Sequence, residues 1–135
     1  MKPSLQSGVA TTSTYVVDRE RTIDFMGEKA RVYATPMLVR DIEIACRNLL
    51  LEHLDAGEDS VGTRVEIDHI GATLMGQKVE LKVAIAKVEG RAVTFQVEGH
   101  DGVEPICRCT HARFVVDTAK TEQRLAAKAA KAGLA

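Results

Sequence analysis

The spacing of apolar residues changes once along the chain, from a helical period to a period of two. Between about Pro36 and His53, apolar residues recur at intervals of three and four, which is the spacing of one buried side of an α-helix. This stripe is formed by Leu38, Ile42, Ala45 and Leu49, and it is widened by Val39, Cys46 and Leu50. Further apolar residues lie on another side of the helix, so we expect a central helix rather than one on the surface.

Alternating apolar and polar residues predict strands on both sides of this helix. Residues 11–17 are rich in β-branched side chains and form the first predicted strand, whereas residues 18–30 fit no regular element. After the helix, strands are predicted near 65–73, 77–88, 93–97 and 106–116. Short glycine-containing turns separate these runs, which predicts a four-stranded antiparallel meander. One helix wrapped by one curved sheet belongs to the α+β class.

The length of 135 residues indicates one domain covering 1–135. Residues 1–10 are expected to form a loose N-terminus. Residues 119–135 are rich in lysine and alanine and predict a C-terminal surface helix or tail.

Charge and hydropathy argue against several classes of partner. With 18 basic and 19 acidic residues, the formal net charge is -1, which gives no general attraction for nucleic acid or an anionic membrane. No apolar run approaches the roughly 20 residues that span a bilayer, and the N-terminus lacks the apolar core of a secretory signal. We therefore expect a cytoplasmic protein. Cys46, Cys107 and Cys109 are expected to be reduced thiols, and no spacing of ligands predicts a metal site.

Two polar residues occupy positions where the pattern predicts apolar ones. Glu43 lies at the edge of the apolar stripe, and His69 lies on the strand face that carries Val65 and Ile67. Glu43 could instead reach water or pair with an arginine of its own helix, and a single histidine on an apolar face is often a core residue. Together, a carboxylate and an imidazole beside a half-buried site form a plausible acid–base pair.

Three further residues have both a structural and a functional interpretation. Thr35 precedes Pro36 at the predicted helix start, where it could cap the helix or lie where amides receive developing negative charge. Gly62 precedes the strand of His69 and could serve a turn. Arg113 lies in the last strand and could form a cross-strand salt bridge.

From about Tyr33 to Val116 the sequence resembles the fluoroacetyl-CoA thioesterase family of single hotdog-domain proteins. The resemblance rests on five segments in the same order and with nearly the same spacing. These are YATPMLVRDIEIAC, GEDSVGTRVEIDHIGATLMG, VEGRAVTF, VEGHDGVEPI and THARFVV. It implies a hotdog fold, in which an antiparallel sheet wraps one long central helix, and a homodimer or higher oligomer with active sites at the subunit interface.

The resemblance also implies an activity and roles for residues. It implies hydrolysis of an acyl-CoA thioester without a cofactor, with coenzyme A as part of the substrate. The catalytic threonine, glutamate and histidine of the family match Thr35, Glu43 and His69 of this sequence. The family glycine that helps to hold the thioester carbonyl matches Gly62, and an arginine near the site matches Arg113.

The segment before the helix departs from the family pattern. The fluoroacetate-specific enzyme has a longer segment with aromatic residues over the acyl pocket, whereas Asp24–Arg31 is shorter and has only Phe25. A thioesterase acting on another acyl group is therefore expected. A hotdog acyl-CoA dehydratase or hydratase and a non-catalytic acyl-CoA-binding module remain as alternatives.

Overall fold

The structure is a computed structural model that describes residues 1–134 and consists of five strands and two α-helices. Two short 3-10 turns, Arg19–Arg21 and Glu28–Ala30, precede the long helix. In chain order the elements are β1 (Ala10–Val16), α1 (Thr35–Leu51), β2 (Glu58–His69), β3 (Lys78–Glu89), β4 (Ala92–His100), β5 (Pro105–Asp117) and α2 (Thr118–Lys131). The predicted α+β class and hotdog architecture are confirmed, with α1 packed on one face of a single antiparallel sheet.

Helix α1 begins one residue earlier than predicted, and Thr35 does not cap it. The N-cap position is Ala34, which has no side chain that could accept a hydrogen bond, and proline occupies the first turn as predicted. The capping interpretation of Thr35 is therefore wrong, and its hydroxyl is free to bond elsewhere.

The strand order is β1-β3-β4-β5-β2, so only part of the predicted meander is present. β3, β4 and β5 follow one another as antiparallel neighbours, but β2 pairs with β5 rather than with β3. Strand β2 also begins at Glu58 and ends at His69, earlier at both ends than predicted. As a result, β2 is an edge of the sheet, twelve residues long and mostly exposed.

The core lies between α1 and the concave face of the sheet. The helix contributes a buried stripe that includes Leu38, Ile42 and Leu49, as its spacing predicted. The sheet contributes every second residue of each inner strand, such as Phe95 and Ile85. Burying such aliphatic and aromatic side chains stabilises a fold by about 1.5–3 kcal/mol each.

Both ends of the chain differ from a loose tail. Residues 1–9 form no helix or strand, but Leu5 is buried in the core and the amide of Lys2 donates to the carbonyl of His53. The expectation of a loose N-terminus is therefore wrong for these residues. At the other end, α2 is the predicted surface helix, capped by the Asp117 carboxylate and with no buried residue.

The loop of residues 21–34, which precedes α1, is held at both ends by the buried carboxylate of Asp41. Asp41 of α1 is fully buried and accepts hydrogen bonds from the Tyr33 hydroxyl and from Nε of Arg21, the latter at 2.8 Å. The Ala34 amide also donates to the Arg21 carbonyl at 2.8 Å. The loop from residue 21 to 34 is therefore closed at its base and anchored on α1.

Among residues 1–134, no helix is both long and apolar enough to cross a membrane.

Candidate active site

Thr35 and His69 form a hydrogen-bonded pair at the N-terminus of α1. The Thr35 hydroxyl lies 2.7 Å from Nδ1 of His69, which is the last residue of β2. Within residues 1–134, the buried Nε2 of His69 has no hydrogen-bond partner. Burial lowers the pKa of His69 below its ordinary value of 6.5. The imidazole is therefore mostly neutral at pH 7 and can accept a proton.

An open cleft of about 320 Å³ lies beside this pair. Its walls are mainly apolar, and Thr35 and His69 supply its polar side chains. The other lining residues are Ile23, Phe25, Val32, Tyr33, Ile70, Gly71 and Ala72. Phe25, the single aromatic residue of the shortened segment, is 77% exposed at the rim of this cleft. The cleft has the chemistry of a site for a neutral apolar group next to a hydrogen-bonded hydroxyl and imidazole.

Glu43 lies two turns further along α1 and contacts a different part of β2. Its Oε1 atom is so close to Gly62 that a Cβ added there would lie 2.5 Å from it. Any larger residue at position 62 would displace the carboxylate, so Gly62 is required by close approach rather than by a turn. The Glu43 side chain is 41% exposed, so its carboxylate is accessible from solvent.

Arg113 of β5 lies behind Glu43 as a buried cation. It is 6% exposed, and it donates from Nε to the Ser60 hydroxyl at 2.7 Å and from Nη2 to the Ser60 carbonyl at 2.9 Å. Its Nη1 lies 3.6 Å from the position of a Gly62 Cβ. Burial lowers the pKa of Arg113, whereas the nearby Glu43 carboxylate raises it. The arginine is thus fixed beside the carboxylate instead of forming a surface salt bridge.

His111 is a residue of this site that the sequence did not identify. It is fully buried in β5, with Nδ1 at 2.8 Å from the Arg64 carbonyl and Nε2 at 3.2 Å from Nη1 of Arg113. Its Nε2 lies 4.0 Å from Oε1 of Glu43. The alternation of Cys109, His111 and Arg113 on one face of β5 was visible in the sequence, but the contact with Glu43 depends on the pairing of β5 with β2.

The five predicted site residues therefore form two clusters within one chain. One cluster contains Thr35 and His69, and the other contains Glu43, Gly62 and Arg113. Thr35 and Glu43 are eight residues apart on α1, which is about 12 Å along a helix axis. Gly62 and His69 are seven residues apart on β2, which is roughly 20 Å along a strand. One chain alone does not bring Glu43 and His69 to the same bond.

The three cysteines are unreactive because they are buried. Burial raises the pKa of Cys46 to about 12 and that of Cys107 and Cys109 to about 11, so these thiols stay protonated at neutral pH. Within residues 1–134, no group of three or more His, Cys, Asp or Glu side chains is arranged to hold a metal ion.

Comparisons with known proteins agree on one family. Residues 17–119 match the sequence family described as fluoroacetyl-CoA-specific thioesterase. The chain is 31% identical over 135 residues to the fluoroacetyl-CoA thioesterase of Streptantibioticus cattleyicolor, covering 95% of this chain and 97% of that protein.

Solved structures extend this similarity to the fold. A substituted form of the fluoroacetyl-CoA-specific thioesterase in complex with fluoroacetate and CoA is 31% identical, with a TM-score of 0.80 over 87% of this chain and 99% of that one. A thioesterase superfamily member from Thermus thermophilus is 26% identical, with a TM-score of 0.89 over 98% of this chain and 99% of that one.

Proposed function

The chain belongs to the fluoroacetyl-CoA-specific thioesterase family, and from this we propose how its own residues hydrolyse a thioester. The protein is an acyl-CoA thioesterase that converts an acyl-CoA and water into a carboxylic acid and free CoA. The observation that carries the proposal is that both clusters of site residues lie along the same exposed edge strand, β2.

We propose that each active site is assembled from two protomers of a homodimer. Strand β2 is a long edge with exposed apolar side chains, Val61 at 45% and Val65 at 36%, and such edges readily pair with another strand. The midpoint between Gly62 and His69 falls between Val65 and Glu66, and the β-bulge beside Gly62 adds one residue on that side of it. Antiparallel pairing of two β2 strands about Glu66 therefore places Gly62 of one protomer beside the partner's His69.

The main chain of β2 supports this pairing. The Ile70 amide donates to the Ile106 carbonyl of β5. Because bonded and unbonded residues alternate along an antiparallel pair, the N–H and C=O of Val65 and Ile67 point away from β5. Those groups are available to a second β2 strand. A two-fold axis there creates two identical composite sites, each with Glu43 and Gly62 from one protomer and Thr35 and His69 from its partner.

In such a site the thioester carbonyl lies between the two clusters. The Glu43 carboxylate attacks the carbonyl carbon or removes a proton from the attacking water. The Gly62 amide and the N-terminus of α1 stabilise the negative charge that develops on the carbonyl oxygen. His69 moves the proton to the departing CoA sulfur, and Thr35 holds the imidazole through Nδ1. The thioester C–S bond breaks, and in the route where Glu43 attacks, water then hydrolyses the anhydride bond to Glu43. In both routes water supplies the hydroxyl of the acid and the proton of the thiol.

These residues need no cofactor in the proposed reaction, since the carboxylate and imidazole supply the nucleophile, the base and the acid. The partners we propose are an acyl-CoA substrate and a second copy of the chain. We also propose a cytoplasmic location, where acyl-CoA is the accessible substrate and the three thiols stay reduced.

Release of free CoA from a panel of acyl-CoAs, followed with a thiol reagent, tests this function. Acetyl-, fluoroacetyl-, butyryl- and hexanoyl-CoA should each be assayed with wild type and with Glu43→Gln. We expect release with at least one substrate and a loss of roughly a hundredfold or more in kcat for the variant. Binding without release by wild type would instead indicate a non-catalytic acyl-CoA-binding module.

The same panel tests acyl selectivity. Because the segment Asp24–Arg31 is short and leaves Phe25 exposed at an open cleft, we expect little or no preference for fluoroacetyl-CoA over acetyl-CoA. A large preference in kcat/KM for the fluorinated substrate would show that another element closes the cleft.

A further inference from the structure

His111 lies fully buried directly behind the Glu43 carboxylate, on an element that the mechanism above does not use. We propose that His111 is a positioning residue for the thioesterase reaction: it acts as a neutral hydrogen-bond acceptor that fixes the Arg113 guanidinium beside Glu43. This inference rests on the proposed role of Glu43 as nucleophile or base.

The two ring nitrogens of His111 have partners that define its tautomer. Nδ1 lies 2.8 Å from the main-chain carbonyl of Arg64, which can only accept, so Nδ1 carries the proton. Nε2 lies 3.2 Å from Nη1 of Arg113, which can only donate, so Nε2 is the acceptor. A protonated imidazole would place a second positive charge against the guanidinium in a buried site. The geometry therefore selects the neutral ring with the proton on Nδ1.

Arg113 is held by two residues on different strands. Ser60 of β2 accepts from Nε and Nη2, and His111 of β5 accepts from Nη1. A guanidinium that forms hydrogen bonds through all three nitrogens is held in one orientation. In this orientation Nη1 lies in the space beside Gly62, next to the Glu43 carboxylate. Without the bond to His111, Ser60 still binds one side of the guanidinium, but Nη1 loses its fixed position.

The bond to Arg64 links His111 to the shape of β2. The register of β2 with β5 shifts between Gly62 and Arg64, which marks a β-bulge at the point where Gly62 meets the carboxylate. His111 thus contacts the bulge through Nδ1 and the cation through Nε2. Its ring also stacks on Phe95, with ring centroids 6.3 Å apart, so the imidazole itself is fixed.

The charged and titratable groups around this network come from three elements. Helix α1 supplies Glu43, Cys46 and Arg47, β2 supplies Asp59, and β5 supplies Arg113. The Arg47 side chain is already paired with Asp59, at 2.6 Å between Nη2 and Oδ2. Arg113 is therefore the cation whose position bears most directly on the Glu43 carboxylate.

Two substitutions separate the two bonds of His111. In His111→Gln, the side-chain oxygen reaches the position of Nε2 and keeps the acceptor for Arg113, while the donor to Arg64 is lost. In His111→Asn, the amide nitrogen keeps the donor to Arg64, while the acceptor is lost. We expect kcat to fall by about tenfold to a hundredfold in the asparagine variant with KM nearly unchanged, because a misplaced reacting group costs this much. The glutamine variant should stay within about threefold of wild type.

The split between kcat and KM gives a readout that a purely structural role would not produce. If Arg113 moves away from Glu43, the reacting carboxylate loses its neighbouring cation, and kcat falls in His111→Asn while KM stays near that of wild type. Both constants should stay near those of wild type in His111→Gln. His100→Asn, an exposed histidine of β4, serves as a matched control and should resemble wild type.

Nitrogen-15 NMR of the wild-type ring tests the same proposal without a substitution. We expect a neutral His111 with a protonated Nδ1 and an unprotonated Nε2 at pH 7. The reverse tautomer, or a charged ring, would overturn the proposal, as would equal loss of kcat in the two variants or no loss in either. If Glu43→Gln itself stays active, the proposed function fails. If Glu43→Gln is inactive while His111→Asn resembles wild type, only this inference fails.

Discussion

The hydroxyl of Thr35 contacts a histidine rather than the amides of its own helix. Because Ala34 occupies the N-cap, the first turn of α1 is formed without a side-chain cap, and the hydroxyl bonds to Nδ1 of His69. A threonine at a helix start is normally explained by capping. In this protein the Thr35 hydroxyl instead holds the His69 imidazole. Loss of the hydroxyl should therefore lower the catalytic rate more than it lowers the stability of the fold.

Substitution of Thr35 separates these two roles. Thr35→Ser keeps the hydroxyl and should retain kcat within about threefold, whereas the isosteric Thr35→Val should lose roughly tenfold or more because His69 loses its partner. The free energy of unfolding, measured by thermal denaturation, should change by less than about 0.5 kcal/mol in the serine variant. A loss of about 1 kcal/mol in the valine variant with unchanged kcat would return Thr35 to a capping role.

The protonation of His69 gives a second prediction for a single residue. Burial lowers its pKa from 6.5, so the neutral form dominates above that lowered pKa and is depleted as the pH falls through it. A proton NMR titration of His69 should show a midpoint below 6.5, and the His69→Ala spectrum identifies the resonance. A midpoint above 6.5 would mean that the folded protein stabilises the imidazolium instead.

Among the elements, α1 and β2 show what sequence patterns predict and what they do not. The spacing of Leu38, Ile42 and Leu49 predicted the helix and its buried face, because a local period reports a local structure. The pairing of β2 with β5 was not predicted, since alternation reveals a strand but not its neighbour. The contact between His111 and Glu43 was missed for the same reason.

Asp41 joins two elements of the fold. Its carboxylate anchors on α1 the loop that forms one wall of the cleft. Asp41→Asn leaves Arg21 beside an uncharged group, and breaking such a buried pair should destabilise the fold by about 3 kcal/mol. Arg47→Met, which breaks the exposed pair between α1 and Asp59, should cost less than about 1 kcal/mol. Chemical denaturation measures both, and equal losses would show that burial does not distinguish the two pairs.

At the scale of the whole molecule, the residues of the proposed reaction centre are separated within one chain, and the homodimer that we propose is what joins them. The resemblance to a family identified Thr35, Glu43 and His69, but only the positions of α1 and β2 show that these residues form two clusters. The amino-acid sequence alone could not reveal this separation in space. Thr35 and Glu43 are only eight residues apart along the chain, and Gly62 and His69 only seven.

The edge of β2 gives a prediction about assembly. Val65→Pro removes an outward N–H that a second β2 strand would need, without removing a bond to β5. Size-exclusion chromatography with light scattering should show a monomer of 14.7 kDa for this variant and a dimer for wild type. Thr12→Pro makes the same change at the opposite edge, β1, and should remain dimeric. A dimeric Val65→Pro protein would place the interface elsewhere.

Mixed dimers of Glu43→Gln and His69→Ala test the composite site most directly. Each variant alone should lose roughly a hundredfold or more of its activity. In a heterodimer, the intact Glu43 of one protomer faces the intact His69 of its partner, so one of the two sites is restored. Heterodimers isolated with two affinity tags should therefore recover about half of the wild-type kcat per dimer. Heterodimers as inactive as either parent would contradict a site shared between protomers.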